Sequence, residues 1–128
     1  MKLTAKSMLL VFAGGALGSL LRFLIGEVLD NLIALALVNL LGAAFLGWIN
    51  GSAAAAKPRF TGASVAQFWG AGFAGGFTTM SGLAMSFVLL AGSTQGVLAI
   101  SYLLAQFVFG IFAYLGGYRA GSGEFPGE

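Results

Sequence analysis

Gly72-Phe73-Ala74-Gly75-Gly76-Phe77-Thr78-Thr79-Met80-Ser81-Gly82 sets a cluster of glycines and hydroxyls inside a stretch, 60–118, that contains no Asp, Glu, Lys or Arg. An uncharged run of that length predicts membrane-spanning helices. The cluster predicts that one of them is broken near mid-depth, at 75–79. In hydrocarbon every backbone N–H and C=O must find a partner, so a break is tolerated only where it is buried in protein or lines a polar cavity. The first half of such a helix ends on free carbonyls that suit a cation, and the second half begins on free N–H groups that suit an anion.

The rest of the chain agrees with a membrane setting. Hydrophobic residues make up 59% of its 128 positions and charged residues 8%, and the mean hydropathy is +0.96. Such values lie far outside the soluble-domain range. A span needs roughly 20 apolar residues, so the sequence accommodates four, expected at 8–28, 32–54, 65–91 and 96–118. Residues 1–120 then form one four-helix membrane unit, and 121–128 read as a flexible C-terminal tail. Met1-Lys2-Leu3-Thr4-Ala5-Lys6-Ser7 resembles the start of a signal peptide, but the apolar run continues past Gly14 and Gly15 to Val28 with no cleavage site, and it is read as the first span. The chain has neither Cys nor His, which excludes disulfides, thiolate catalysis and the commonest metal ligands. Its net charge of +2 reflects membrane anchoring and not a nucleic-acid surface.

Short connectors force each helix to run antiparallel to the next. Lys2, Lys6, Lys57, Arg59 and Arg119 then fall on one side, whereas the other carries Glu27 and Asp30. Positively charged flanks stay inside, so both termini are expected in the cytoplasm of a multi-pass protein of the inner or plasma membrane. Trp48, Trp69 and Tyr118 near that same side suit the interface. Glycines four apart, Gly14 and Gly18, Gly47 and Gly51, Gly72 and Gly76, allow close helix approach.

Polar residues inside the spans need a reason. Arg22 either snorkels or pairs with Glu27, or else is a vestibule charge that attracts anions. Asn39 either bonds a neighbouring helix, worth about 1 kcal/mol, or offers its amide donors to an anion. Thr78, Thr79 and Ser81 either back-bond within a helix or surround a break. Tyr102 and Gln106 share a helix face one turn apart. Together with Asn39 and Ser81 they make either interhelical bonds or a ladder of donors. No span contains a carboxylate away from its ends, Glu27 being the next-to-last residue of the first.

Leu21-Arg22-Phe23, Val38-Asn39-Leu40-Leu41-Gly42 and the run from Gly72 to Ser81, in this order on four short spans, resemble the Fluc/CrcB fluoride channels. The most specific element is Gly-Gly-x-Thr-Thr-x-Ser. The resemblance implies an all-α, antiparallel, dual-topology dimer with two fluoride pathways. It further implies a structural sodium ion held by backbone carbonyls of Gly75 and Thr78, a pathway lined by Asn39, Ser81 and Tyr102, and Arg22 at its entrance. The family typically follows its two threonines with Phe-Ser-Thr-Phe. Here Met80-Ser81-Gly82-Leu83 stands there, so Met80 and Leu83 would border the pathway, and Gln106 stands where many relatives carry Ser.

The expected function is therefore passive fluoride export without covalent chemistry. The alternatives are a non-conducting structural subunit of such a dimer, or a small multidrug or cation antiporter, which would need an intramembrane carboxylate. Because the basic residues all favour one side, the expected partner is a homologous second subunit of opposite bias, the homodimer being the other option.

Overall fold

The computed structural model describes residues 4–124. Within them four helices are long and apolar enough to cross a membrane. Helix α1 (Ala5–Val28) starts where the Thr4 hydroxyl accepts the Ser7 N–H, and it stops at Leu29, whose backbone is extended. The Asp30 carboxylate then accepts the Leu32 N–H and caps α2 (Asn31–Ala54). A carboxylate there also suits the positive end of the helix dipole. With only Leu29 and Asp30 between them, α1 and α2 must be antiparallel.

The third span is a composite. Helix α3 (63–77) opens with one α-turn, continues as π-helix from Ala66 to Ala74 and closes with Gly75–Phe77 in α-geometry. Thr78 and Thr79 are extended, and α4 (Met80–Gly92) resumes the path. Helix α5 (Gly96–Ser122) is the fourth span and ends at Gly123, whose φ of 83° is the left-handed cap that glycine adopts without strain. The expected spans were short by a few residues. The largest difference is at the end of α5, which absorbs Gly121 and Ser122, the first residues expected in the tail. Residues 125–128 and Lys2 lie outside the described residues.

Two glycine clasps hold the helices in pairs. On α1, a Cβ at Gly14 would sit 2.1 Å from the Phe68 carbonyl oxygen, and one at Gly18 would sit 2.2 Å from that of Phe73. On α3, a Cβ at Gly72 would meet the Val11 oxygen at 2.8 Å, and one at Gly76 the Gly15 oxygen at 2.3 Å. The α2–α5 pair repeats the device. Gly47 and Gly51 face the carbonyls of Tyr114 and Tyr118, while Gly117 and Gly121 face those of Ala44 and Trp48, all at 2.0–2.2 Å. Backbones this close gain dispersion along their whole contact, which drives association where lipid supplies no hydrophobic effect between helices. Packing, one of the two roles open to the Gly72 and Gly76 pair, is therefore theirs.

The ends are tied as well. Gln67 donates to the Ser7 hydroxyl at 3.0 Å across α1 and α3. Ser52 and Lys57 both donate to the Gly121 carbonyl. These ties bring Lys6, Lys57, Arg59 and Arg119 to one end of the bundle, with Glu27 and Asp30 at the other. Large apolar residues such as Phe12, Val28, Val88, Val97 and Phe112 point outward, as a lipid-facing surface requires.

Candidate functional site

The break sits at Thr78–Thr79, inside the expected 75–79 and at its C-terminal end. Gly75 is helical, with φ −64° and ψ −38°, and Gly76 serves the clasp with α1. The threonines carry the interruption. Thr78 back-bonds its hydroxyl to the Ala74 carbonyl at 2.9 Å, so the last turn of α3 closes on its own side chain. The Thr79 hydroxyl accepts the Gly82 N–H at 3.0 Å and caps α4. Extended backbone suits β-branched residues; Thr79 satisfies an N–H that the broken helix leaves open, while Thr78 adds its hydroxyl to the Ala74 carbonyl that its own N–H already bonds.

Asn39 reaches the break from α2. Its amide oxygen accepts the Thr79 N–H at 2.8 Å, and its amide nitrogen donates to the Thr79 carbonyl at 3.3 Å. One side chain thus serves both backbone groups of the residue most removed from helical pairing. A carboxamide has two N–H donors, so one remains. Arg22 reaches the same place from α1, donating to the Thr78 carbonyl at 3.1 Å. Neither snorkelling nor an ion pair with Glu27 describes it: the guanidinium is drawn inward to the break. Ser19 adds a bond to the Gly76 carbonyl at 3.3 Å.

A cavity of about 610 Å³ opens on the α5 side of the break, lined by Asn39, Gly75, Thr78, Thr79, Met80, Leu83 and Gln106 among others. Gly42 has a steric role here, since a Cβ would lie 2.2 Å from the Thr78 methyl. On the other side a smaller cavity of about 140 Å³ runs from Arg22, Gly26 and Asn31 to Thr79. Thr79 borders both. The break is therefore a partition between two hollows, with Arg22 in the one nearer the acidic end.

Of the residues singled out from the sequence, the structure brings Asn39, Gly75, Thr78, Met80, Leu83 and Gln106 to one cavity. Gln106 is buried and its amide oxygen has no hydrogen-bond partner among the described residues. Ser81 and Tyr102 are not among the lining residues. The Ser81 hydroxyl is exposed and pairs with that of Thr79 at 3.1 Å, and Tyr102 donates to the Leu32 carbonyl at 2.7 Å. The cavity also gains Asn50 and Tyr114, bonded to each other at 3.1 Å, which sequence reading had passed over. Their register held the signal. Asn50 lies eleven residues, about three turns, beyond Asn39, and Tyr114 lies eight beyond Gln106, so each shares its helix face.

Comparison with known proteins bears on this arrangement. The family model described as "CrcB-like protein, Camphor Resistance (CrcB)" matches residues 9–118. "Fluoride-specific ion channel FluC 2" of Leifsonia xyli subsp. xyli is 35% identical over 94% of this chain and 86% of its own length. "Fluoride-specific ion channel FluC" of Methanopyrus kandleri is also 35% identical, over 93% and 92%. "Fluoride-specific ion channel FluC 1" of Geobacillus kaustophilus is 31% identical, over 88% and 96%.

Proposed function

The chain belongs to the CrcB family, a family of ion channels and not of enzymes, and from that premise we propose that it is a fluoride-selective channel subunit that lets fluoride leave the cell passively. The observation that carries the reading is Asn39: it holds the break in the third span open and keeps an N–H donor at the edge of a cavity. Fluoride is small and strongly hydrated, so a selective path must replace its water with such donors while excluding larger anions. Thr79 and Gln106 extend the set of polar groups lining the cavity, Ser81 and Tyr102 lie off it on the Thr79 hydroxyl and the Leu32 carbonyl, and Arg22 supplies positive charge at the break. Among the described residues the carboxylates Glu27, Asp30 and Glu124 all lie at helix ends. That leaves an antiporter without an intramembrane proton carrier.

The assembly we propose is an antiparallel dimer, with a homologous second subunit as the partner. The four described basic side chains at one end support a single insertion direction, and a chain that inserts one way needs a partner that inserts the other. Relatives carrying the numbers 1 and 2 in their names are consistent with paired subunits. Both termini are then cytoplasmic.

The residues at the break also fit a structural sodium ion. Gly75 and Thr78 would hold it through backbone carbonyls, and when bound it would supply a fixed positive charge at the dimer centre. The ligand oxygens are neutral, no cluster of acidic residues exists among the described residues, and the Thr78 carbonyl that sodium would use also accepts the Arg22 guanidinium, so the site would tolerate no more than a single added charge. A divalent ion would be left under-neutralised there. Sodium is therefore expected to raise the melting temperature of the purified dimer above its value in an organic cation at equal ionic strength. Greater stabilisation by calcium, or none by any cation, would exclude a monovalent site.

Met80 and Leu83 favour one competing reading, a subunit with no conducting pore of its own. Leu83 is buried and Met80 exposed at the cavity, and neither has the positive ring edge that an aromatic would present to an anion. Fluoride efflux from proteoliposomes, with and without a homologous partner, separates the readings. Efflux with the partner and little without it is expected, and Phe at both positions should preserve or raise it. No efflux in any combination leaves only the structural subunit. Robust efflux from this chain alone, with equal labelling of a cysteine in the 55–64 connector from both membrane faces, would replace the heterodimer by a homodimer.

A further inference from the structure

A second cavity, remote from the break, has a different chemistry. It measures about 340 Å³ and lies where α2, the 55–62 connector and α3 meet, at the basic end of the bundle. That volume is within the range of small-ligand pockets, roughly 300–1,000 Å³. Its walls are the rings of Phe45, Trp48, Phe60 and Trp69 with the side chain of Ile49, and its one charged group is Arg59.

The rings brace one another. Trp48 and Phe60 meet edge to face with centroids 4.9 Å apart, and Phe45 and Trp69 do so at 6.0 Å. Edge-to-face pairs add about 0.5–1.5 kcal/mol beyond area burial, so the hollow is held open and preformed. Both tryptophans are 38% exposed, at the depth where amphipathic rings sit between headgroups and acyl chains.

Arg59 differs from its neighbour Lys57, whose ammonium is engaged by the Gly121 carbonyl. Arg59 is exposed and makes no ion pair or hydrogen bond among the described residues. A guanidinium presents a planar fork matched to phosphate oxygens. Lys6, Lys57 and Arg119 at the same end, against Glu124 alone among the described acids, add a positive field.

We propose that this cleft binds one anionic phospholipid, with the phosphate on Arg59 and an acyl chain between the rings. The charge selects the head, and the uniformly apolar wall selects the tail. A soluble phosphate satisfies only the first, and a zwitterionic lipid brings an ammonium that Arg59 repels.

The chain carries its own reporter, because its only two tryptophans, Trp48 and Trp69, both line the cleft. The full chain is reconstituted in phosphatidylcholine vesicles containing a small fraction of phosphatidylglycerol or phosphatidylcholine with brominated acyl chains, which quench indole fluorescence on contact. Brominated phosphatidylglycerol should show about five-fold preference over brominated phosphatidylcholine, as expected from one basic residue near the surface. Arg59→Gln should remove most of the preference, Arg59→Lys should keep part of it, and Arg119→Gln, which removes the same charge outside the cleft, should lower it far less than Arg59→Gln does. Glycerol phosphate in the aqueous phase should not relieve the quenching. Equal quenching by both lipids, a ratio indifferent to Arg59→Gln, relief by glycerol phosphate, or tryptophans shielded from both lipids by a protein partner would each overturn the proposal. None of these readouts involves fluoride, so they stand apart from the channel reading.

Discussion

Alanine at Gly18 or Gly47 is expected to destabilise the fold by about 3 kcal/mol or more, at the top of the usual overpacking range. The new methyl carbon would lie 2.2 Å from the Phe73 carbonyl oxygen in the first case and 2.1 Å from that of Tyr114 in the second. Both obstacles are backbone, so no rotamer change relieves them. The helices must part, and every neighbouring contact of the clasp loosens with them. Gly110 and Gly116 provide the control, since a Cβ there meets nothing within 4 Å. Alanine at either should be neutral or stabilise by up to about 1 kcal/mol, because glycine is the poorer helix former. Unfolding of the four variants in detergent, followed by tryptophan fluorescence, checks this. Equal stability of Gly47→Ala and Gly116→Ala would mean that the α2–α5 clasp is not under steric constraint.

Asn39→Ala is expected to lower fluoride efflux by about ten- to a hundred-fold while leaving the dimer intact. The substitution has two effects at one place. It removes the remaining amide donor from the cavity, and it strips the Thr79 N–H and carbonyl of their partner in the middle of the membrane. Leaving a buried polar group unsatisfied costs about 1–3 kcal/mol, and each 1.4 kcal/mol or so added to a barrier is tenfold in rate. Ser81→Ala should do less, because the Ser81 hydroxyl touches only that of Thr79 and Thr79 keeps its cap on α4 without it. Efflux measured beside size-exclusion chromatography decides. Wild-type flux in Asn39→Ala would assign that residue to packing alone.

The membrane setting, the number of spans and their alternation were legible in the sequence. Those follow from one-dimensional quantities: apolar length against bilayer thickness, connectors of a few residues, and the side on which Lys and Arg fall. It also pointed to a break in the third span, because clustered hydroxyls and glycines in hydrocarbon need a structural reason. Which residues make the break was decided in three dimensions. Gly76 could not be assigned to flexibility or to packing until the Gly15 backbone was seen against it, and Thr79 became the hinge of the site only because Asn39, forty residues earlier, meets both of its backbone groups. Arg22 could likewise be read as snorkelling, as paired with Glu27 or as a vestibule charge, its long stem allowing each, until its guanidinium was found on the Thr78 carbonyl at the break. The π-helical course of Ala66–Ala74 left no periodic signal, since apolar residues on every face carry no phase. Hydropathy reads the lipid and so reveals where a chain crosses. Polar pairing between helices depends on which backbones the small residues bring together, and only the packed bundle decides that.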